Sequence, residues 1–167
     1  MKLAVPATLM ILLLSGLVFA GTQDFEQHPT CDYCGMHRVK FAHSRMLITY
    51  EDGGTVGTCS LRCAALELAI AIDRQPVSIQ VGDYNSKRLI DAEQATWVVG
   101  GDRPGVMTRR AKWAFKEESD AQKFIDEHGG EQATAEQAIS AAFVDMYADA
   151  KMIRSKRAAK KQKMMTH

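Results

Sequence analysis

All four cysteines of the chain fall within "CDYCGMHRVKFAHSRMLITYEDGGTVGTCSLRC", Cys31 and Cys34 as a C-x2-C pair and Cys59 and Cys63 as a C-x3-C pair. Thiols spaced in this way support three chemistries. Ionised, they can close a tetrahedral metal site. Oxidised in an export compartment, they can pair as disulfides in any of three connectivities. Poised at a helix start, a C-x2-C can exchange disulfides, but "CDYCGMHRVKF" follows the pair with glycine and β-forming residues rather than a helix. Disulfide staples and metal ligation therefore both stay open.

One neighbouring residue shifts the balance toward a metal. Met36 stands two positions past Cys34 with only Gly35 between them. A thioether contributes nothing to a zinc site and is a preferred ligand of monovalent copper. Gly35, free to adopt positive φ, lets the backbone turn so that Cys34 and Met36 can face one ion. The quieter reading of Met36 is core packing, as for most methionines. His37 and His43 are close in sequence, but neither is expected as a ligand on its own, since a histidine in a strand is more often a half-exposed polar residue.

The elements that must hold these residues are readable from pattern. "VKFAHSRMLITY" is rich in β-branched and aromatic residues and predicts a strand, "EDGG" a reversal, and "TVGTCS" the returning arm. A helix follows, with Ser60 as N-cap and Leu61, Ala64, Ala65, Leu68 and Ile72 on one face before Pro76 ends it. This would place Cys63 in the first turn, where the helix dipole favours a thiolate. The order then recurs: "ATWVVGG" as a strand, "DRPGVMT" as a loop, "RAKWAFKE" as the returning strand and "SDAQKFIDEHGG" as a helix, with Ser119 and Gln122 in capping-box spacing and Gly129 beyond its end. Between the two units, "PVSIQVGDYNSKRLID" predicts one more strand and a turn.

The expected class is α+β: two tandem ββα-type units with a C-terminal helix, preceded by a signal peptide. Residues 1–20 form the signal peptide, 30–75 the first unit with its cysteine motifs, 76–131 the second unit, and 134–167 the last helix with its basic tail. Neither unit has enough apolar surface to stand alone, so a shared core or edge-to-edge packing is expected. Thr134 and Gln137 repeat the capping-box spacing at the start of the last helix, whose far end is expected to fray.

Composition and charge exclude some functions and place others. A hydrophobic content of 46% allows a core, and a formal net charge of +1 from 21 basic and 20 acidic residues gives no global attraction to nucleic acid. The charge is uneven, because "KMIRSKRAAKKQKMMTH" is basic and free of acid. That tail would suit an acidic partner, a membrane surface, or simple solvation. At the other end, "MKLAVPATLMILLLSGLVFAGTQ" has a lysine, an apolar run and small residues at Val18 and Ala20, which predicts export with cleavage after Ala20 and a periplasmic location. Its alternative is an uncleaved membrane anchor. No serine, carboxylate or glycine-rich constellation supports catalysis, so an enzyme is not expected.

"CDYCGM" followed by the "EDGG" hairpin, and later "RPGVMTRRAKWAFKEESDAQKFIDEHGGE", resembles the NosL family of nitrous-oxide reductase accessory proteins over roughly Cys31 to Glu131. The resemblance implies an exported copper-binding protein of two similar ββα-type units. Carried over by position, it marks Cys34 and Met36 as copper ligands and Met107 of "PGVM" as a third soft ligand from the second unit. It implies a Cu(I) chaperone that serves a periplasmic copper enzyme, nitrous-oxide reductase-like by the same resemblance. The chain departs from the family in two ways. "LVFAGT" has no cysteine to carry the lipid that family members commonly bear. "CSLRC" is more like the "FCS-x-x-C" ending of TRASH-type metal-sensing modules, so Cys59 and Cys63 would join Cys31 and Cys34 in a four-thiolate site for copper or zinc, or pair as a disulfide. The alternative function is a zinc- or disulfide-stabilised binding module.

Overall fold

The structure, a computed structural model, describes residues 23–166; the expected signal peptide lies outside the described residues. In chain order the elements are α1 (Gln23–Gln27), β1 (Met46–Tyr50), β2 (Thr55–Thr58), α2 (Leu61–Ile70), β3 (Pro76–Gly82), β4 (Leu89–Asp91), β5 (Thr96–Val99), β6 (Lys112–Phe115), α3 (Glu118–His128), β7 (Glu131–Ala133) and α4 (Ala135–Met165). They form two antiparallel sheets, of order β2-β1-β3-β4 and β6-β5-β7, with α4 at the C-terminal end. The α+β class and the tandem arrangement are as the sequence predicts.

The repeat is longer than two strands and a helix. In each half a hairpin is followed by a helix, and the chain then returns to pair on the free side of the first strand: β3 beside β1, β7 beside β5. Each half is therefore a ββαβ frame. The third strand was partly hidden in sequence, because "EQA" at β7 is short and polar, and only pairing with Val99, Val98 and Trp97 makes it a strand. α1 was likewise unforeseen within the polar lead.

Three boundaries differ from the sequence reading. β1 starts at Met46, because the chain from Val39 to His43 winds through successive turns that let Arg38 and Arg45 reach one carboxylate. α2 stops at Ile70 and leaves Ile72 exposed, because Pro76 is already paired with Tyr50. α3 starts earlier, with Glu117 rather than Ser119 at the N-cap position and no side-chain cap, since burying Ala121 and Phe124 fixes its register; the Gln122 side chain bonds Asp126 instead. At α4 the capping box forms as expected between Thr134 and Gln137. Its far end continues as helix to Met165, in keeping with the alanines, lysines and methionines there.

Neither half has a private core. One cluster joins Met46, Ile48 and Tyr50 of β1 and Leu61, Ala64 and Ala65 of α2 to Trp97 of β5 and Ala138 and Ala142 of α4. A second joins Cys31, Cys59 and Cys63 to Trp113, Phe115 and Phe124. The halves are also stitched along the backbone: Tyr84 N–H donates to the Ala114 carbonyl at 2.8 Å, and the Lys116 N–H donates to the buried Asp83 carboxylate at 2.9 Å.

Candidate metal centre

The first pair of cysteines sits on a loop closed by its own backbone. The Gly35 N–H donates to the Cys31 carbonyl at 2.9 Å and the Cys31 N–H to the Met36 carbonyl at 2.8 Å. Gly35 makes the turn at φ 73°, a conformation that glycine takes without strain. The loop is then tied to β2 in both directions: Asp32 N–H donates to the Gly57 carbonyl at 3.0 Å, and Gly57 N–H to the Asp32 carboxylate at 2.9 Å. A Cβ on Gly57 would stand 2.3 Å from the His28 side chain, so only glycine permits this close seat.

Beneath the loop lies a buried ionic knot. Asp24 of α1 accepts from Arg38 at 3.0 Å and from Arg45 at 2.8 Å, with all three side chains essentially inaccessible. Arg38 also donates to the carbonyls of Asp24, His28, Thr58 and Met46, which binds α1, β1 and the end of β2 into one base. Cys59 follows directly from that base, and its carbonyl accepts from Ser44 Oγ at 2.9 Å. Cys63 comes one short turn later, in the first turn of α2, where thiolate charge is favoured by the helix dipole.

The four thiols converge. All four Sγ atoms lie within 4.8 Å of one another. Cys34 and Cys59 are 3.4 Å apart and Cys59 and Cys63 4.0 Å. Four sulfurs about 2.3 Å from one tetrahedral ion would stand about 3.8 Å apart, so these two separations bracket what a thiolate site requires. No two of the four are joined as a disulfide. Cys31, Cys59 and Cys63 are buried, and Cys34 is half-buried.

The protons of the cluster are unevenly held. Hydrogen bonds from Cys34, Cys59 and Cys63 pull the Cys31 thiol far below its ordinary range. Cys34 is pushed up by its bond to Cys31 but, with Cys59 and Cys63 donating to it, ends lower than usual. Cys59 and Cys63 are driven up, chiefly by their bonds to Cys31 and Cys34 and by burial. Thus the C-x2-C thiols are shifted toward the ionised form and the C-x3-C thiols toward the protonated form, and metal ligation requires all four to release their protons.

Of the remaining residues singled out in sequence, Met36 and Met107 are both half-buried and both pack against the cluster that contains the cysteines. Met107 adopts φ 60°, one of two non-glycine residues with positive φ among those described. Its loop is clamped by α4: Arg109 N–H donates to the buried Asp149 carboxylate at 2.9 Å, Arg110 reaches Asp145 at 2.9 Å, and Lys112 pairs with Asp145 at 2.5 Å. His37 is exposed. His43 packs 5.4 Å from the Trp113 ring and 5.8 Å from Tyr84, and burial lowers its pKa. Neither histidine belongs to the thiol group.

Sequence reading missed the support that holds the loop against α2. Glu67 is buried and accepts from the hydroxyls of both Tyr33, in the C-x2-C loop, and Tyr50 of β1, the latter at 2.6 Å. Burial and these bonds to Glu67 raise both phenols well above the usual tyrosine range, so both stay protonated donors. A signal was present: Glu67 is an acid within the apolar run "CAALELAI", four residues after Cys63.

Comparison with known proteins adds a family to this geometry. No curated protein matches the sequence. Among solved structures the chain is similar to the copper chaperone NosL from Shewanella denitrificans, with 23% identity and a TM-score of 0.52 over 63% of this chain and 85% of that one, a likeness of fold. The NosL family profile matches residues 22–157, from just before α1 through most of α4 and including all four cysteines, Met36 and Met107. The chain, on that match across both ββαβ frames, belongs to the NosL family.

Proposed function

We propose that this protein is an exported Cu(I) carrier, not an enzyme, which draws the ligands of one cuprous ion from the thiols of Cys31, Cys34, Cys59 and Cys63 and, at the edge of the cluster, the thioethers of Met36 and Met107. The observation that carries the proposal is the graded exposure of one sulfur-rich cluster. Three thiols are buried, while Cys34, Met36 and Met107 are half-buried around them. Soft sulfur donors select monovalent copper, and a set with accessible members allows ligand exchange, which a carrier needs for release. Membership of the NosL family, and a fold shared with a copper chaperone, support the same assignment.

The recipient is a copper enzyme of the periplasm, nitrous-oxide reductase-like by family. Export rests on the N-terminal apolar run of the sequence. Among the described residues no helix is long and apolar enough to cross a membrane.

A second reading has a specific observation in its favour: four thiolates at near-tetrahedral spacing are also a structural zinc site. The two readings separate experimentally. Anaerobic protein should take up one equivalent of Cu(I) against a moderate chelator, and Met36→Ile and Met107→Ile should each weaken uptake about tenfold while the urea midpoint stays unchanged. If both variants bind as tightly as the parent, the thioether ligands are wrong. If chelation instead unfolds the protein and zinc restores it, the ion is structural.

A further inference from the structure

The far half of α4 is the feature that neither the core nor the metal centre uses. Asp149 is the last buried residue of this helix, and from Arg154 to Met165 every residue is exposed over a length of about 18 Å. Arg154, Lys156, Arg157, Lys160, Lys161 and Lys163 follow one another there with no acid between them. Among the described residues none of these cations has a carboxylate partner. Like charges three and four residues apart repel along a helix, so the arm accumulates unfavourable energy that the fold itself does not relieve.

Its position ties the arm to the site. The Arg157 guanidinium comes to 3.5 Å from the Cys34 carbonyl oxygen, which puts the basic arm beside the one half-buried cysteine. Arg154, Arg157, Lys160 and Lys161 fall on one helical face by their spacing. The arm has no apolar row suited to lying in lipid. Beyond Ile153 its apolar residues are Ala158, Ala159, Met164 and Met165, and Lys161 and Gln162 interrupt any continuous stripe.

We infer that the exposed half of α4 is a docking surface for an acidic protein face that presents a soft copper acceptor, and that it delivers this acceptor to Cys34. The inference rests on the carrier reading for its purpose, though not for the docking itself. Transfer is a ligand exchange: a bond from Cu(I) to the acceptor sulfur forms as the bond to Cys34 Sγ breaks, Cys34 leaves as the thiolate, and copper stays monovalent. Such an exchange requires the partner to lie over Cys34, and therefore against Arg157 and its neighbours. Opposite charge there would speed and orient the encounter, with an effect that salt screens.

The test uses the full chain with three probes: a labelled glutamate-rich peptide bearing a methionine pair, the same peptide with glutamine for glutamate, and phosphatidylcholine vesicles containing phosphatidylserine. Anisotropy with metal-free protein should show binding of the glutamate peptide only, weakening about tenfold or more from low to high salt. The variant R154E/K160E/K161E should lose about tenfold in affinity and in the rate of Cu(I) transfer to that peptide, with helix content and Cu(I) uptake unchanged. Equal binding of the glutamine peptide, indifference to charge reversal, or arm-dependent binding of vesicles in place of peptide would overturn the inference. Arm-dependent docking in a protein that takes up no Cu(I) would uphold the surface and overturn the carrier reading alone.

Discussion

The two ββαβ frames share one topology and are filled with different chemistry. In the frame of β5, β6, α3 and β7, the interior is aromatic: Phe124 lies 5.4 Å from Phe115 and 4.9 Å from Tyr84, and Trp113 is almost wholly buried. In the frame of β1, β2, α2 and β3, the corresponding region carries three buried cysteines, above the ionic knot of Asp24, Arg38 and Arg45. Both linings belong to one cluster, so aromatic rings from one frame wall in the thiols of the other. The difference shows how a duplicated scaffold divides labour. The interior of the aromatic frame is held by apolar burial, and its specific polar partners, such as Lys112 with Asp145, lie toward α4. The sulfur frame buries apolar residues of β1 and α2 as well, but where the other frame has rings it has thiols, and there it relies on paired charges and a tightly seated loop.

If that contrast is right, the largest effect should come from the ionic knot. Asp24→Ala leaves two guanidiniums buried without their carboxylate and should cost about 3–5 kcal/mol. Urea unfolding measures it, and Cu(I) uptake should fall with it because α1, β1 and the end of β2 lose their common base. A loss below about 1 kcal/mol would mean that the carbonyl acceptors around Arg38 suffice, and that the knot does not replace hydrocarbon.

A smaller effect is expected on the aromatic side. Phe124→Leu keeps most of the buried volume but removes the ring contacts to Tyr84, Phe115 and His128, at a cost of about 1–1.5 kcal/mol. Cu(I) affinity should change little, since the leucine still excludes water. A variant that unfolds as readily as Asp24→Ala would erase the distinction between the frames.

The smallest effect tests the seam between them. Asp83 is desolvated, which alone would raise its pKa, but hydrogen bonds from Ser86 and the Lys116 N–H outweigh this and hold it below the usual carboxylate range. A depressed carboxylate contributes stability that is present above its unfolded value near 4 and is lost as the pH falls through its lower folded value. Stability should therefore decline below about pH 4, and Asp83→Asn should flatten part of that decline in acid-unfolding curves. An unchanged slope would remove Asp83 from the coupling of the frames.

Much of this arrangement was legible in advance, for identifiable reasons. β2, β5 and β6, α2 and α4 carry strong local signals, namely alternation, glycine reversals and a true capping box at Thr134. Elements that exist only by pairing were not legible. β7 is polar and three residues long, and its strand identity comes from Trp97, Val98 and Val99 across the ladder. α1 is five residues, far below the length at which a helix declares itself, and is held by Asp24 reaching two arginines distant in sequence. Ser119 offered good cap spacing and lost to the burial of Ala121 and Phe124, because tertiary packing outweighs a cap worth about 1 kcal/mol.

By itself the sequence determined the side chains on offer: cysteine and methionine at short spacings, a glycine where the loop must turn, and two repeats able to share a core. Those are properties of side-chain chemistry and local backbone freedom, which do not need the rest of the chain. Only the tertiary structure decided that the two cysteine pairs meet within 4.8 Å, that Glu67 holds Tyr33 against α2, and that the basic end of α4 reaches the Cys34 carbonyl. Each of those depends on register and packing between segments far apart in the chain, where free energy is set by burial and partner geometry rather than by residue type.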